Sequence, residues 1–236
     1  MGLLEDTIDR MRDALAGRPG PGRAHDRLGP APLVGPRGTT TGHFVQPDQT
    51  TCGSSCLVMA RMLGDPAYAT WIHTGRDGSP RPEARTAQQR FADEALATHV
   101  RTNRLSDAAG ALQIPWPRSL GTTPWALATE LRNTGGTAPP GTPHQVRAVA
   151  PSRRAEAYDE VVDAVARGHA IATFVGNRLR PGHVVLATAS SGDGTSVYDP
   201  ASGRTRAVRR DDFASGSLGI SGWDEPWFVV LPTEVG

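Results

Sequence analysis

The chain reads as an α+β domain, with helices first and an antiparallel sheet after them. Three observations predict this. Up to residue 168 the chain reads mostly as helices, at 1–16, 52–63, 83–100, 106–112, 125–132 and 152–167, separated by Gly- and Pro-marked loops. From 170 to 231 they fall into short runs separated by Gly, Pro, Ser and Asp, the pattern of strands and turns. The segment Ser190-Ser191-Gly192-Asp193-Gly194 is a hairpin signal that makes two of those runs antiparallel neighbours.

Taken in order, residues 1–16 carry Leu4, Ile8, Met11 and Leu15 in a narrow seam between charged positions, which predicts a short amphipathic helix. It is no secretory signal, because its start is acidic and it has no continuous apolar run. Residues 17–42 are rich in Gly, Pro and Arg and are expected to form a flexible linker. A helix this short is marginal alone, so it is expected to pack on the main domain, to self-associate or to dock a partner. Residues 43–236 are expected to form that domain, long enough for one good core.

Within it, a polar turn ends at Cys52 and a compact apolar run follows, closed by Gly64-Asp65-Pro66. Thr50 or Thr51 is expected to cap a helix that Cys52 opens, and Gly64 with Pro66 to stop it. Residues 65–82 read as a loop, and 83–100 as a helix with Ala87, Phe91, Ala95 and Leu96 as its apolar stripe. A short helix is expected at 106–112, ended by Ile114-Pro115-Trp116-Pro117. Thr123-Pro124 starts a further helix over 125–132, and Gly135-Gly136 ends it. A strand is expected at 145–150. Ser152 should cap a helix with Tyr158, Val161, Val162 and Val165 on one face and Gly168 as its stop. Strands are expected at 170–175, 183–189, 196–198, 205–208 and 227–231, with Trp223 and Trp227 covering the sheet or lining a cleft.

Composition excludes several classes. A net charge of +1 leaves no basic excess for neutralising phosphates, so no nucleic-acid partner is expected. No run of 18 apolar residues exists to span a membrane. Two cysteines four apart make no disulfide framework, and the seven His show no spacing that pairs with them around zinc, so no metal is expected. All 25 basic residues are Arg. Codon bias explains this most simply; avoidance of lysine-directed modification is the sharper reading.

The chemistry gathers on four residues. At a helix N-terminus, unpaired N–H groups and the macrodipole favour the thiolate, the nucleophilic form of Cys52. Gly53 removes a side chain beside the sulfur and is expected to leave room for a carbonyl to approach. Cys56, one turn further in, is expected to face the core. His183 opens an apolar strand in Arg180-Pro181-Gly182-His183-Val184-Val185-Leu186, and Asp199 follows beyond the hairpin turn in Val197-Tyr198-Asp199-Pro200. Closing that hairpin carries Asp199 back toward His183, where a carboxylate would hold the tautomer of an imidazole paired with a thiolate. Asp193 competes for that role from the same hairpin. Each residue alone has an ordinary explanation: buried structural thiols, a half-buried strand histidine, a turn carboxylate before Pro. Their joint occurrence in order, with Gln46 upstream, favours a site. His25, His43, His73, His99, His144 and His169 lack such partners and are read as structural.

A Gln six residues before a Cys-Gly that opens an apolar helix resembles the papain-like cysteine peptidases. The form Cys52-Gly53-x-x-Cys56-Leu57-x-Met59 is similar to the bacterial branch that trims double-glycine leader peptides from bacteriocins. Gly182-His183-Val184-Val185 and Asp199-Pro200-x-x-Gly203 match that branch in the same chain order. The resemblance covers the Cys helix and roughly 152–232, covers 65–150 loosely and does not reach 1–42. It implies a papain-like fold in which an N-terminal helical part carries the Cys and a C-terminal antiparallel sheet carries His and Asp. It further implies Cys52 as nucleophile, Gln46 in the oxyanion hole, His183 as base and Asp199 as its orienting partner, with no cofactor. Such peptidases cut after double glycines; for Gly135-Gly136 a helix C-terminus is the simpler explanation. They usually precede a membrane transporter in one chain and none follows here, so the expectation is thiol acyl-transfer chemistry rather than leader trimming as such.

The function expected first is therefore a cysteine peptidase acting on a protein or peptide. A papain-fold effector or toxin that deamidates or transglutaminates a protein Gln would use the same four residues. A non-catalytic binding module is the weakest reading, because all four groups are retained. The protein is expected in the cytoplasm, or exported without a cleaved signal peptide.

Overall fold

The computed structural model describes residues 33–34, 40–41, 43–78, 83–103, 121–191 and 194–233. The helices expected at 1–16 and 106–112 lie outside these residues, as do His25 and Asp193, and so does all of the expected linker except two short strands. Those strands, β1 (Leu33–Val34) and β2 (Thr40–Thr41), pair antiparallel.

Helix α1 (Cys52–Gly64) lies at the centre of one core. All its residues but Arg61 and Gly64 are buried, as befits a helix apolar or small on every side. It packs against α2 (Pro66–Thr74), α3 (Ala87–Thr102), α4 (Pro124–Thr134) and the sheet. That sheet has the order β3-β8-β4-β5-β6-β7, with every neighbouring pair antiparallel: β3 (His144–Ala148), β4 (Ile171–Gly176), β5 (Pro181–Ser191), β6 (Gly194–Asp199), β7 (Arg204–Val208) and β8 (Glu225–Pro232). Helices α5 (Arg154–Ala166) and α6 (Arg210–Ser215) cover the other face. The molecule is thus α+β, as the sequence predicts. Strand alternation divides the apolar residues between the two cores. Ala172, Phe174, Val184, Leu186, Phe228 and Val230 pack with α1, while Ile171, Val175, Val185, Ala187 and Val229 pack with α5. Because both faces are covered, the strands read as near-continuous apolar runs.

Several local expectations need correction. Residues 66–74, read as loop, form α2. Asp65 terminates α1 through its own N–H to Arg61 O (2.8 Å) and then caps α2, accepting from the Ala67 and Tyr68 N–H groups. Pro66 fits the first turn of α2, and Gly75 closes it at φ 71°. The signal that stops one helix therefore starts the next. Helix α3 begins at a capping box between Thr86 and Gln89, and Leu96 is exposed instead of joining the buried stripe. Ser152 does not cap α5; it lies in a 3₁₀ turn, Pro151–Arg153, that leads into the helix. Thr123 does cap α4, accepting from Ala126 N–H (2.9 Å). Gly135 and Gly136 end α4 as expected. Gly135 N–H bonds Leu131 O (2.9 Å), and any Cβ at Gly64 would collide with the Gly136 carbonyl.

The segment just before α1 is stitched into the domain. Phe44 stacks on Phe91 at 4.8 Å, and its carbonyl accepts from the Tyr198 hydroxyl (2.7 Å). Val45 exchanges two main-chain bonds with the Gln88 amide. Gln46 N–H donates to Pro200 O (2.8 Å), tying the approach to α1 to the turn after Asp199.

Candidate active site

The turn before α1 is built on Asp48, whose carboxylate accepts from the Thr50 N–H (2.7 Å) and hydroxyl (2.8 Å). Thr51 occupies the cap position, but its hydroxyl does not cap. It turns back to Asp48, donating to the carbonyl (3.0 Å) and accepting from the N–H (3.2 Å). The first N–H groups of α1 are thus left without a side-chain cap, and Cys52 stands among them as the first helical residue.

Cys52 and Cys56 are both free thiols. Cys56 points inward as expected: it is buried, lies 3.5 Å from Val184 O, and burial pushes its thiol well up. Gly53 does not hold space open for a substrate carbonyl, which corrects that expectation. A Cβ there would lie 2.8 Å from Thr122 Cβ and 3.6 Å from Val184 Cγ2, so the glycine lets α1 settle on residue 122 and on β5. A Cβ on Gly121, at φ 74°, would lie 2.6 Å from Thr50 O and 4.0 Å from the Cys52 sulfur.

Both contacts of α1 with Val184 bring Cys52 beside the start of β5, where His183 stands. The β5–β6 hairpin pairs Leu186 with Tyr198, and a one-residue shift between Ala187 and Ala189 adjusts the register toward its tip. Asp199 therefore returns to His183, with Nε2 and Oδ1 2.7 Å apart. Both are buried, at 6% and 5% exposure. Burial pushes the His183 imidazolium down, but hydrogen bonds to Asp199 and Cys52 and the charge of each outweigh it, raising it to about 9. Burial pushes the Asp199 carboxyl up, and the His183 hydrogen bond and charge, with Ser221 and Ser202, hold it down at about 2. The two shifts run in opposite directions, as an ion pair between a ring and a carboxylate requires. Both describe an imidazolium donating from Nε2 to a carboxylate. With Nε2 so engaged, Nδ1 is the nitrogen left for Cys52.

Every lone-pair direction of Asp199 is occupied. Oδ1 also accepts from Ala201 N–H (3.0 Å), while Oδ2 accepts from the hydroxyls of Ser202 (2.9 Å) and Ser221 (2.6 Å). These two serines were missed in the sequence. Ser202 is legible in hindsight, three residues after Asp199 in the same turn; Ser221, twenty-two residues away, carries no local signal. Gln46 directs its side-chain amide nitrogen to Asp48 O (2.7 Å), while its buried Oε1 has no partner among the described residues. Trp223 lies over Gly182, next to His183, so closely that no side chain fits at 182. His73 packs on the Phe44 ring, His99 bonds Asn103, and His144 bonds Thr142 O. Among the described residues, no group of three or more His, Cys, Asp or Glu is placed to hold a metal ion, and no helix is long and apolar enough to cross a membrane.

A thiol at a buried helix start, beside an imidazole whose far nitrogen a carboxylate holds, defines a Cys–His–Asp constellation. Two solved structures resemble the chain in the course of the fold. One is a double glycine motif protease from an AMS/PCAT transporter in complex with the leader peptide, at 14% identity over 80% of this chain and 90% of that one, TM-score 0.40. The other is the peptidase domain of Streptococcus ComA, a bi-functional ABC transporter involved in a quorum sensing pathway, at 14% identity over 80% of this chain and 97% of that one, TM-score 0.37. No protein-family model and no curated protein matches the chain.

Proposed function

We propose that the protein is a papain-like cysteine peptidase acting on a protein or peptide substrate. One observation carries the reading: Cys52 opens a buried helix against His183, and the other ring nitrogen of His183 lies 2.7 Å from a buried carboxylate. Cys52 as thiolate attacks the scissile carbonyl carbon, forming a C–S bond and an oxyanion. Gln46 has two amide hydrogens; the bond to Asp48 O engages one and orients the group, leaving the other for the oxyanion together with the Cys52 N–H. His183 imidazolium gives its Nδ1 proton to the leaving amine as the C–N bond breaks. His183, now neutral, then takes a proton from water, whose oxygen attacks the thioester and releases the acid and the thiolate. Asp199 stays ionised throughout and keeps a proton on Nε2, so that Nδ1 is the atom that gives and takes the mobile proton.

Residues 43–236 would form the catalytic domain, and residues 1–42 an appendage for delivery, self-association or partner docking. Incubating the protein with a proteome and reading new N-termini by mass spectrometry tests the function. New N-termini that vanish in Cys52→Ala support a peptidase. Gln-to-Glu conversions or Gln cross-links without new N-termini would overturn it in favour of the deamidase or transglutaminase.

A further inference from the structure

Ser221 stands apart from every other described residue. It is the one non-glycine residue among them with positive φ, at 47°. It shares a two-residue turn with Gly222, at φ 83°, closed on both sides by Ile220 N–H to Trp223 O (3.0 Å) and Trp223 N–H to Ile220 O (2.8 Å). Positive φ at both central residues is the geometry of a type I′ turn, whose first position suits Gly, Asn or Asp far better than Ser. The left-handed region crowds a Cβ against the backbone, and a residue held there by its surroundings commonly marks a functional constraint. The function of this serine is visible in its side chain. Its hydroxyl donates to Asp199 Oδ2 at 2.6 Å, the shortest of the four bonds the carboxylate accepts.

We propose that Ser221 is a positioning residue for the catalytic pair: its hydroxyl fixes the Asp199 carboxylate so that Oδ1 meets His183, and it shields Oδ2 from water. This rests on the Cys52–His183–Asp199 reading above and adds to it a residue that touches neither substrate nor thiol. The turn that carries Ser221 also carries Trp223, whose ring covers Gly182 beside His183. One short hairpin therefore braces both partners of the pair, the carboxylate through a hydroxyl and the imidazole's strand through a ring. Without the hydroxyl the carboxylate can turn and hydrate, and its hold on the imidazolium weakens.

The turn itself supplies the control. Ser221→Ala removes the hydroxyl and keeps the Cβ at positive φ, whereas Ser221→Gly removes both. A purely structural serine would affect the chemistry only as stability changed, and the two variants should differ in stability. Alkylation of Cys52 by iodoacetate reads the pair without any peptide substrate. The anionic reagent is drawn by the His183 charge, so its rate falls as the imidazolium loses its proton. Both variants should move that alkaline limb to lower pH by the same amount, a few tenths of a pH unit to about one. Ser221→Gly should meanwhile melt about 2–4 °C above Ser221→Ala. An alkaline limb that stays at the wild-type position in both variants overturns the proposal, as does a limb that tracks melting temperature. If wild-type alkylation shows no alkaline limb at all, the Cys–His pair itself is refuted. A wild-type limb that the variants leave unmoved refutes the role of Ser221 alone.

Discussion

Replacing Asp199 by Asn is the most direct perturbation of the site, because it removes a charge while preserving shape. The carboxylate lies 2.7 Å from His183 Nε2, and both groups are almost fully buried. Raising the imidazole from its ordinary value of 6.5 to about 9 corresponds to about 3 kcal/mol in favour of the charged ring. That is the net after burial has acted the other way, and Asp199 shares it with Cys52. A neighbouring opposite charge is worth about 1–3 pH units. Asp199→Asn should therefore bring the alkaline limb of Cys52 alkylation by iodoacetate from about 9 to roughly 6–8. Loss of a charge-assisted hydrogen bond of about 1.5–3 kcal/mol should slow turnover by about 10- to 150-fold. Stability follows the same pair. The His183 contribution is fully present below about pH 6.5 and is lost as pH rises through about 9. That of Asp199 is present above 3.8 and is lost as pH falls through about 2. The melting-temperature advantage of wild type over Asp199→Asn should thus be largest between about pH 4 and 6.5 and shrink toward pH 10. Rates and melts measured across this range decide the matter. An alkaline limb still at about 9 in the variant would mean that Asp199 does not hold the imidazolium, and the site as described would fall.

The remaining predictions concern the other parts of the site. Limited alkylation near neutral pH with peptide mapping should label Cys52 well before Cys56, because both are buried but only Cys56 lies one turn inside the helix with its thiol pushed well up; preferential labelling of Cys56 would reverse the assignment. Gln46→Ala should cost about 2.7–4 kcal/mol in the barrier, roughly a hundred- to a thousand-fold in rate. Its melting temperature should barely move, since the amide makes one bond to Asp48 O and its oxygen none among the described residues; a large loss of stability would make Gln46 structural. Deleting residues 1–41 should leave folding and alkylation of Cys52 unchanged while altering oligomer state or partner binding, because the cut precedes the anchors at Phe44, Val45 and Gln46. A truncated chain that fails to fold would place the N-terminal segment in the core.

The sequence by itself determined the elements whose signals are local. Helical period and stop signals placed α1 and most of α5, the Thr123-Pro124 cap placed α4, and Gly192-Asp193-Gly194 announced the β5–β6 hairpin. It also placed the Cys at a helix start, because an apolar run after a polar turn leaves few other beginnings. Where a local signal was ambiguous, the reading failed: Gly64-Asp65-Pro66 marks a stop and a start with the same residues, and only the stop was recognised.

Tertiary structure alone decided how these pieces meet. The register that sets Leu186 against Tyr198 depends on a shift within β5 that no residue spacing announces, and it is what brings Asp199 to His183 in preference to any other acid. The use of Gly53 likewise depends on Thr122, nearly seventy residues away, filling the space beside it. Gln46 is held by Pro200, and Asp199 by Ser221, through bonds between segments far apart in the chain. Hydrogen bonds and close packing act over about 3–4 Å, whatever the sequence separation. A sequence therefore displays the groups that can do the chemistry, while the fold decides which of them touch.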